Sequence, residues 1–303
     1  MSKFERAINK WRTATERITF SNLDGKAVAT MQVEEDKVSV FSNIPYHGES
    51  VVINSDYLKD LKRVDDVTGI HANSWEGDVT VSVPITQTDP IEPVLGTGID
   101  PVKWDDIEYV LLATSGDDTR PVLNHVSFED GRIVATDGYR LHWHDGNYKG
   151  GALIYNKILN RIKTDFRISH EDGHSIIEYE VYNHAVKVKT KWDEGSFPNY
   201  YPIIPDKVKL EFTLPYDNRM KKLSGFDTVE ITVNDKIKIE TFANDVVTSL
   251  ELEGGVPDDI RFGVNPDYLL DAMNGETAKI GYVSNVSPIL VGNNALIMPK
   301  HLD

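Results

Sequence analysis

The sequence contains no cysteine, which excludes disulfides, thiolate zinc sites and cysteine nucleophiles together. No apolar run approaches the roughly 20 residues needed to cross a bilayer, and the start, Met1-Ser2-Lys3-Phe4-Glu5-Arg6, lacks the apolar stretch of a signal peptide. A cytoplasmic protein with no membrane contact is expected. Positive charge is scarce: 32 Lys+Arg against 48 Asp+Glu leave a net charge of −16. A surface that grips nucleic acid all over is thereby excluded, because phosphate binding needs local cations; a basic strip on an acidic body is not. Nucleotide-binding and hydrolase signatures are also missing. Gly96-Thr97-Gly98 lacks the third glycine of a dinucleotide loop, and no Walker sequence, Gly-x-Ser-x-Gly or His-Glu-x-x-His occurs. No cofactor and no catalytic residue is expected.

What the sequence has is short alternating apolar runs. Ala27–Val33, Lys37–Phe41, Val79–Val83, Ala185–Lys189 and Val229–Val233 repeat with period two and are rich in β-branched residues. With turn pairs such as Asp24-Gly25, Asp130-Gly131 and Asn234-Asp235, they predict antiparallel strands joined by hairpins. Helices are expected over about 3–18, 55–64, 104–115, 154–164 and 266–274, with a stub at 216–223. Three strand-to-helix junctions resemble one another: Val52–Leu58, Leu153–Leu159 and Gly263–Leu269. Their even spacing predicts three similar domains. Boundaries fall at the Pro/Gly-rich stretch Asp89–Gly98 and between Pro202 and Lys209, giving domains 1–98, 99–208 and a shortened 209–303. The expected class is α+β.

The scarce cations are not scattered. At roughly 100° per residue, Phe4, Ala7, Ile8, Trp11 and Ile18 share one side of the first helix, with Lys3, Arg6, Lys10 and Arg17 opposite. Lys157 and Arg161 likewise oppose Ile158, Leu159 and Ile162, and Lys59 and Arg63 oppose Tyr57, Leu58 and Leu61. Such faces suit sequence-independent contact with phosphates; a solvated helix face is the plainer explanation of each one alone. His142-Trp143-His144-Asp145 places two histidines on one side of a strand, but no third ligand stands at a recognisable spacing, so exposed strand histidines are expected rather than a metal site. The paired carboxylates Asp65-Asp66, Asp105-Asp106, Asp117-Asp118 and Asp258-Asp259 sit in turn-like or helix-start contexts, where capping and solvation explain them.

Four segments carry a resemblance. Arg120–Phe128 followed by Ile133–Leu141 (Ile-Val-Ala-Thr-Asp-Gly-Tyr-Arg-Leu), Phe197–Pro205, Phe262–Asp271 and Ile297–Asp303 closely resemble, in order and spacing, signature segments of bacterial beta sliding clamps. The likeness covers about residues 104–303; residues 1–95 share only the pattern of strands and helices. It implies three clamp domains with antiparallel sheets outside and helices lining a ring, and a non-catalytic processivity factor that encircles duplex DNA irrespective of sequence. The implied DNA-facing residues are Lys3, Arg6, Lys10, Arg17, Lys59, Arg63, Arg120, Lys157, Arg161, Arg219, Lys221 and Lys222. The implied partners are a replicative polymerase and a clamp loader, which dock short peptide motifs in a pocket. That pocket would comprise Leu123, Thr136, Gly138, Tyr139, Arg140, Leu141, Pro198, Ile203, Asn265, Tyr268, Val286, Met298, Pro299 and Leu302. A homo-oligomeric ring, a homodimer first, is implied as well. The departures are Tyr139 for the usual His, Pro202 for a common Arg, and only Asp217–Leu223 where the third domain's first helix should help join subunits. They point to a divergent, shortened member such as a phage carries. A clamp-fold monomer that sequesters partner peptides, and a β-rich hydrolase using carboxylates, are the alternative readings.

Overall fold

The computed structural model describes residues 3–33, 35–45, 50–55, 71–74, 77–82, 92–95, 98–192, 195–243, 246–256 and 259–302. In chain order the elements are α1 (Lys3–Arg12), β1 (Arg17–Leu23), β2 (Lys26–Val33), β3 (Asp36–Pro45), β4 (Val51–Asn54), β5 (His71–Ser74), β6 (Gly77–Ser82), β7 (Asp100–Val102), α2 (Trp104–Leu111), β8 (His125–Glu129), β9 (Arg132–Thr136), β10 (Arg140–Asp145), β11 (Ala152–Tyr155), α3 (Asn156–Ile162), β12 (Phe166–Glu171), β13 (His174–Val181), β14 (His184–Lys191), β15 (Leu210–Leu214), β16 (Val229–Val233), β17 (Ile237–Ala243), β18 (Val246–Leu252), β19 (Ile260–Val264), α4 (Pro266–Met273), β20 (Ala278–Tyr282), β21 (Ile289–Val291) and β22 (Ala295–Ile297). Short 3₁₀ turns occupy Pro121–Asn124, Tyr201–Ile203 and Asn218–Leu223.

Local chemistry sets these boundaries. Asp24 and Gly25 both have positive φ (52° and 77°) between β1 and β2, the conformation that matches hairpin twist. The carboxamide oxygen of Asn265 accepts from the Asp267 and Tyr268 amides and starts α4, Pro266 follows it, and Asn274 in the left-handed region ends the helix. The first helix stops at Arg12 rather than running to 18. Ala14 N–H turns back to Trp11 O and Thr15 N–H to Arg12 O, after which Arg17 opens β1. The expected helix at 55–64 lies outside the described residues. The stub forms as a 3₁₀ turn, with the Arg219 N–H donating to the Asp217 side chain and the Met220 N–H to Asp217 O.

Two compact units result, Met1–Trp104 with Tyr148–Glu194, and Asp105–Asn147 with Gly195–Asp303. In the first, one antiparallel sheet runs β4-β1-β2-β3-β14-β13-β12-β7. In the second, one sheet includes β8-β9-β10-β22-β21-β20-β15 and another runs β19-β16-β17-β18. A common plan is visible. The order β4-β1-β2-β3 returns as β19-β16-β17-β18, and β14-β13-β12-β7 returns as β22-β21-β20-β15. Two seams join such sets: β3 pairs with β14 (Val40↔Val186, Val38↔Val188), and β10 pairs with β22 (Leu141↔Leu296). The α+β class with repeated modules is as expected. Each unit buries its own core. In the first, Phe4, Ile8 and Trp11 of α1 are sealed against the sheet, and Trp11 Nε1 donates to the buried Tyr179 hydroxyl at 2.9 Å. In the second, Phe262, Val264, Leu269, Met273, Ile280 and Ile297 belong to one cluster.

Candidate functional site

All residues of the expected peptide pocket lie in the second unit. The β9–β10 turn is fixed by its own polar groups. Thr136 Oγ1 donates to Arg140 O and accepts from Gly138 N–H at 3.0 Å, while Asp137 Oδ1 accepts from the Tyr139 and Arg140 amides at 2.9 and 3.0 Å. Gly138 sits at φ 91°, which a side chain adopts only with strain, and the turn leaves the Tyr139 ring 58% exposed. Arg140 is pinned: Nε donates to Asp137 at 3.0 Å, Nη1 donates to Asp271, and the guanidinium lies 4.3 Å from the centre of the Tyr268 ring. Burial, and then the neighbouring Asp137 charge, raise the Tyr268 hydroxyl above its ordinary pKa. Arg140, Tyr268 and the cap Asn265 thus form a braced frame.

The C-terminal segment completes the site. Met298 N–H donates to Tyr139 O at 2.8 Å, prolonging the β10–β22 pairing, and Lys300 N–H donates to Gly263 O at 2.8 Å as an antiparallel bridge to β19. Between them lies a cleft of about 200 Å³ lined by Phe262, Gly263, Asn285, Val286, Met298, Pro299, Lys300, His301 and Leu302. Val286 is 72% exposed and Met298 37%. Four expected residues, Val286, Met298, Pro299 and Leu302, are therefore brought together. Pro198 and Ile203 are exposed on the 197–205 segment, which is tied down because the Tyr200 and Tyr201 hydroxyls both donate to Glu129 Oε2 (2.8 and 2.9 Å).

Several expectations need correction. Leu141 is fully buried with Val134, Trp143, Tyr200 and Leu296 and is not among the residues that line the cleft; Leu123 is buried beside Gly138. Arg120, expected among the DNA-facing cations, has Nη1 only 3.4 Å from where a Gly138 side chain would begin, which places it beside the β9–β10 turn. His142 is not an exposed strand residue. It is buried, stacked on Tyr109 at 4.6 Å, with Nδ1 against Tyr109 O; burial lowers its pKa to about 4. His144 instead faces Asp106 at 3.3 Å. Among the described residues no group of three His, Cys, Asp or Glu side chains could hold a metal ion. Sequence reasoning missed Gly263, Asn285, Lys300 and Asp271. Only Gly263 carried a signal, as a glycine inside a strand, which marks close approach of another backbone.

The cations of the first unit divide in two. Lys3 and Arg6 are exposed on α1, Arg6 lying 6.0 Å from the Tyr182 ring centre, and Lys157 on α3 is exposed, 5.0 Å from the Tyr155 ring. Lys10 and Arg161 are engaged inward: Lys10 Nζ donates to Ile162 O at 3.3 Å, and Arg161 Nη1 donates to Lys10 O at 3.2 Å. Each serves a carbonyl in the last turn of the opposite helix, where partial negative charge collects. Burial and the nearby Lys163 charge lower the Lys10 pKa. Arg17 is exposed on β1, not on the helix; Lys59 and Arg63 lie outside the described residues. In the second unit Arg219 is paired with Asp217 at 2.7 Å, and Lys221 and Lys222 are exposed.

No family model matches the chain. Over 142 residues, 43% of the chain, it is 28% identical to the beta sliding clamp of Treponema pallidum (strain Nichols), and the match spans 38% of that protein. The fold is that of bacterial DNA polymerase III beta subunits. The Thermotoga maritima beta subunit superposes with a TM-score of 0.77 at 16% identity, over 99% of this chain and 98% of that one. The Helicobacter pylori beta clamp bound to a DNA ligase peptide gives 0.78 at 17%, over 98% and 97%. The Bartonella birtlesii sliding clamp bound to griselimycin gives 0.79 at 16%, over 99% and 97%.

Proposed function

We propose that this chain is a sliding clamp: a non-catalytic cytoplasmic protein of three modules, 1–98, 99–208 and 209–303, that closes as a homodimeric ring around duplex DNA. The observation that carries the reading is the assembled cleft on a clamp fold, lined in part by the apolar Phe262, Val286, Met298, Pro299 and Leu302, with Val286 and Met298 exposed. Such a site takes the apolar anchors of an extended peptide. A replicative polymerase and a loader tethered there stay near the DNA after each release, so processivity rises through effective concentration. Lys3, Arg6 and Lys157 hold phosphates without reading bases. Strand order supports ring closure. β3 and β10, the third strands of their modules, each pair with the last strand of a following module, whereas β18, the third strand of the last, ends its sheet among the described residues. A second copy supplies the missing neighbour.

The test is retention on nicked circular DNA after loading, compared with the same DNA linearised. A ring stays on the circle and runs off the ends; equal loss from both sinks the proposal. Sedimentation across a dilution series separates the ring from a monomer that sequesters peptides, the reading that the short 3₁₀ turn at Asn218–Leu223 favours.

A further inference from the structure

One side of the cleft is formed by the 298–302 segment of the chain itself. A side chain at Gly263 would begin 2.8 Å from Leu302 Cδ2 and 2.9 Å from Lys300 O, so the segment lies directly on the glycine backbone. Lys300 N–H bonds Gly263 O, occupying a main-chain acceptor on the side of β19 away from β16. Outside the cleft, Lys300 Nζ reaches Asp227 Oδ1 at 2.9 Å. An apolar anchor seated by one backbone bridge is what an extended partner peptide would itself bring.

We infer that Lys300–Leu302 is a displaceable internal plug, with Leu302 in the place of a partner's apolar anchor, so that partners bind by competing with it. The inference rests on the peptide-site reading and adds its regulation. One backbone bridge, one part-buried leucine and one exposed ion pair oppose the ordering cost of three residues, so the closed state is only modestly favoured. Apparent affinity falls by the fraction of molecules that are open. Releasing the plug should therefore strengthen binding by about three- to tenfold.

The experiment measures anisotropy of a fluorescein-labelled extended peptide with leucine and phenylalanine anchors against the intact chain and three variants. Gly263→Ala evicts the segment, Leu302→Ala removes its anchor, and Asp227→Asn cuts a tether that is not part of the cleft lining. All three should bind more tightly, and saturating peptide should speed hydrogen exchange at the Lys300 amide of the intact chain. Weaker or unchanged binding by Leu302→Ala and Asp227→Asn, with slower Lys300 exchange, would make the segment a fixed wall and overturn the plug while leaving the site in place. Binding by none of the four proteins would remove the site reading and the plug with it.

Discussion

At the residue scale the sequence named four of the residues that line the cleft, Val286, Met298, Pro299 and Leu302, but not how they are used. Met298, Pro299 and Leu302 lie in one of the matching motifs, and with Val286 they line one cleft. That Leu141 is sealed and Arg140 bound to two carboxylates depends on neighbours such as Asp271, distant in the chain, which no local pattern announces. His142 is the clearest case. Alternation placed it on a strand face, but only the stacking of Tyr109 over that face makes it buried. Its folded pKa of about 4 lies below the ordinary histidine value of 6.5, burial being the first cause and the Arg140 charge a further one. Below pH 6.5 the unfolded chain takes up a proton that the folded chain refuses, so stability should fall progressively from pH 6.5 towards 4. The loss should reach about 2–3 kcal/mol. Urea midpoints measured across that range should flatten in His142→Phe, which keeps the ring and removes the proton site; an unchanged pH slope would clear His142 of the effect.

At the element scale period did well. β16 falls on Val229–Val233 as alternation indicated, and α4 covers Pro266–Met273 against the expected 266–274. The error lay in α1, where an angular plot keeps assigning faces after the helix has ended. The Thr13–Glu16 turn breaks the helix, and Arg17 passes to β1. Helix faces were also too coarse to separate cations that meet solvent from cations that clasp a neighbouring helix. That distinction predicts different outcomes for similar substitutions. Arg6→Glu with Lys157→Glu should shorten retention on circular DNA and lower its salt dependence, since fewer phosphates are neutralised, while the urea midpoint stays within about 0.5 kcal/mol of the parent. Lys10→Met or Arg161→Met should instead destabilise the α1–α3 contact by about 1–3 kcal/mol, because a helix-end carbonyl loses its donor. Equal effects on retention and stability in both pairs would show that the division is wrong.

At the scale of the whole molecule, three look-alike junctions signalled modular repetition, but the seams were beyond reach. Nothing in the composition of β3 states that its outer neighbour is β14, more than 140 residues further on; sheet pairing across a seam is decided by apolar complementarity such as Val40 opposite Val186, which many strand pairs would satisfy. The same ambiguity hides the fate of β18. The strand carries Val247, 54% exposed, and a strand edge left bare invites pairing with another chain. If closure of the ring uses this edge, Val247→Lys should weaken it by placing a hydrated charge at the junction, as natural edge strands do to prevent pairing. Sedimentation should then shift from dimer to monomer at concentrations where the parent stays dimeric, and retention on circular DNA should be lost. Peptide binding, measured by anisotropy, should persist because the cleft lies on β19 and the 298–302 segment. A Val247→Lys protein that remains dimeric and stays on the circle would place the subunit junction elsewhere than at β18.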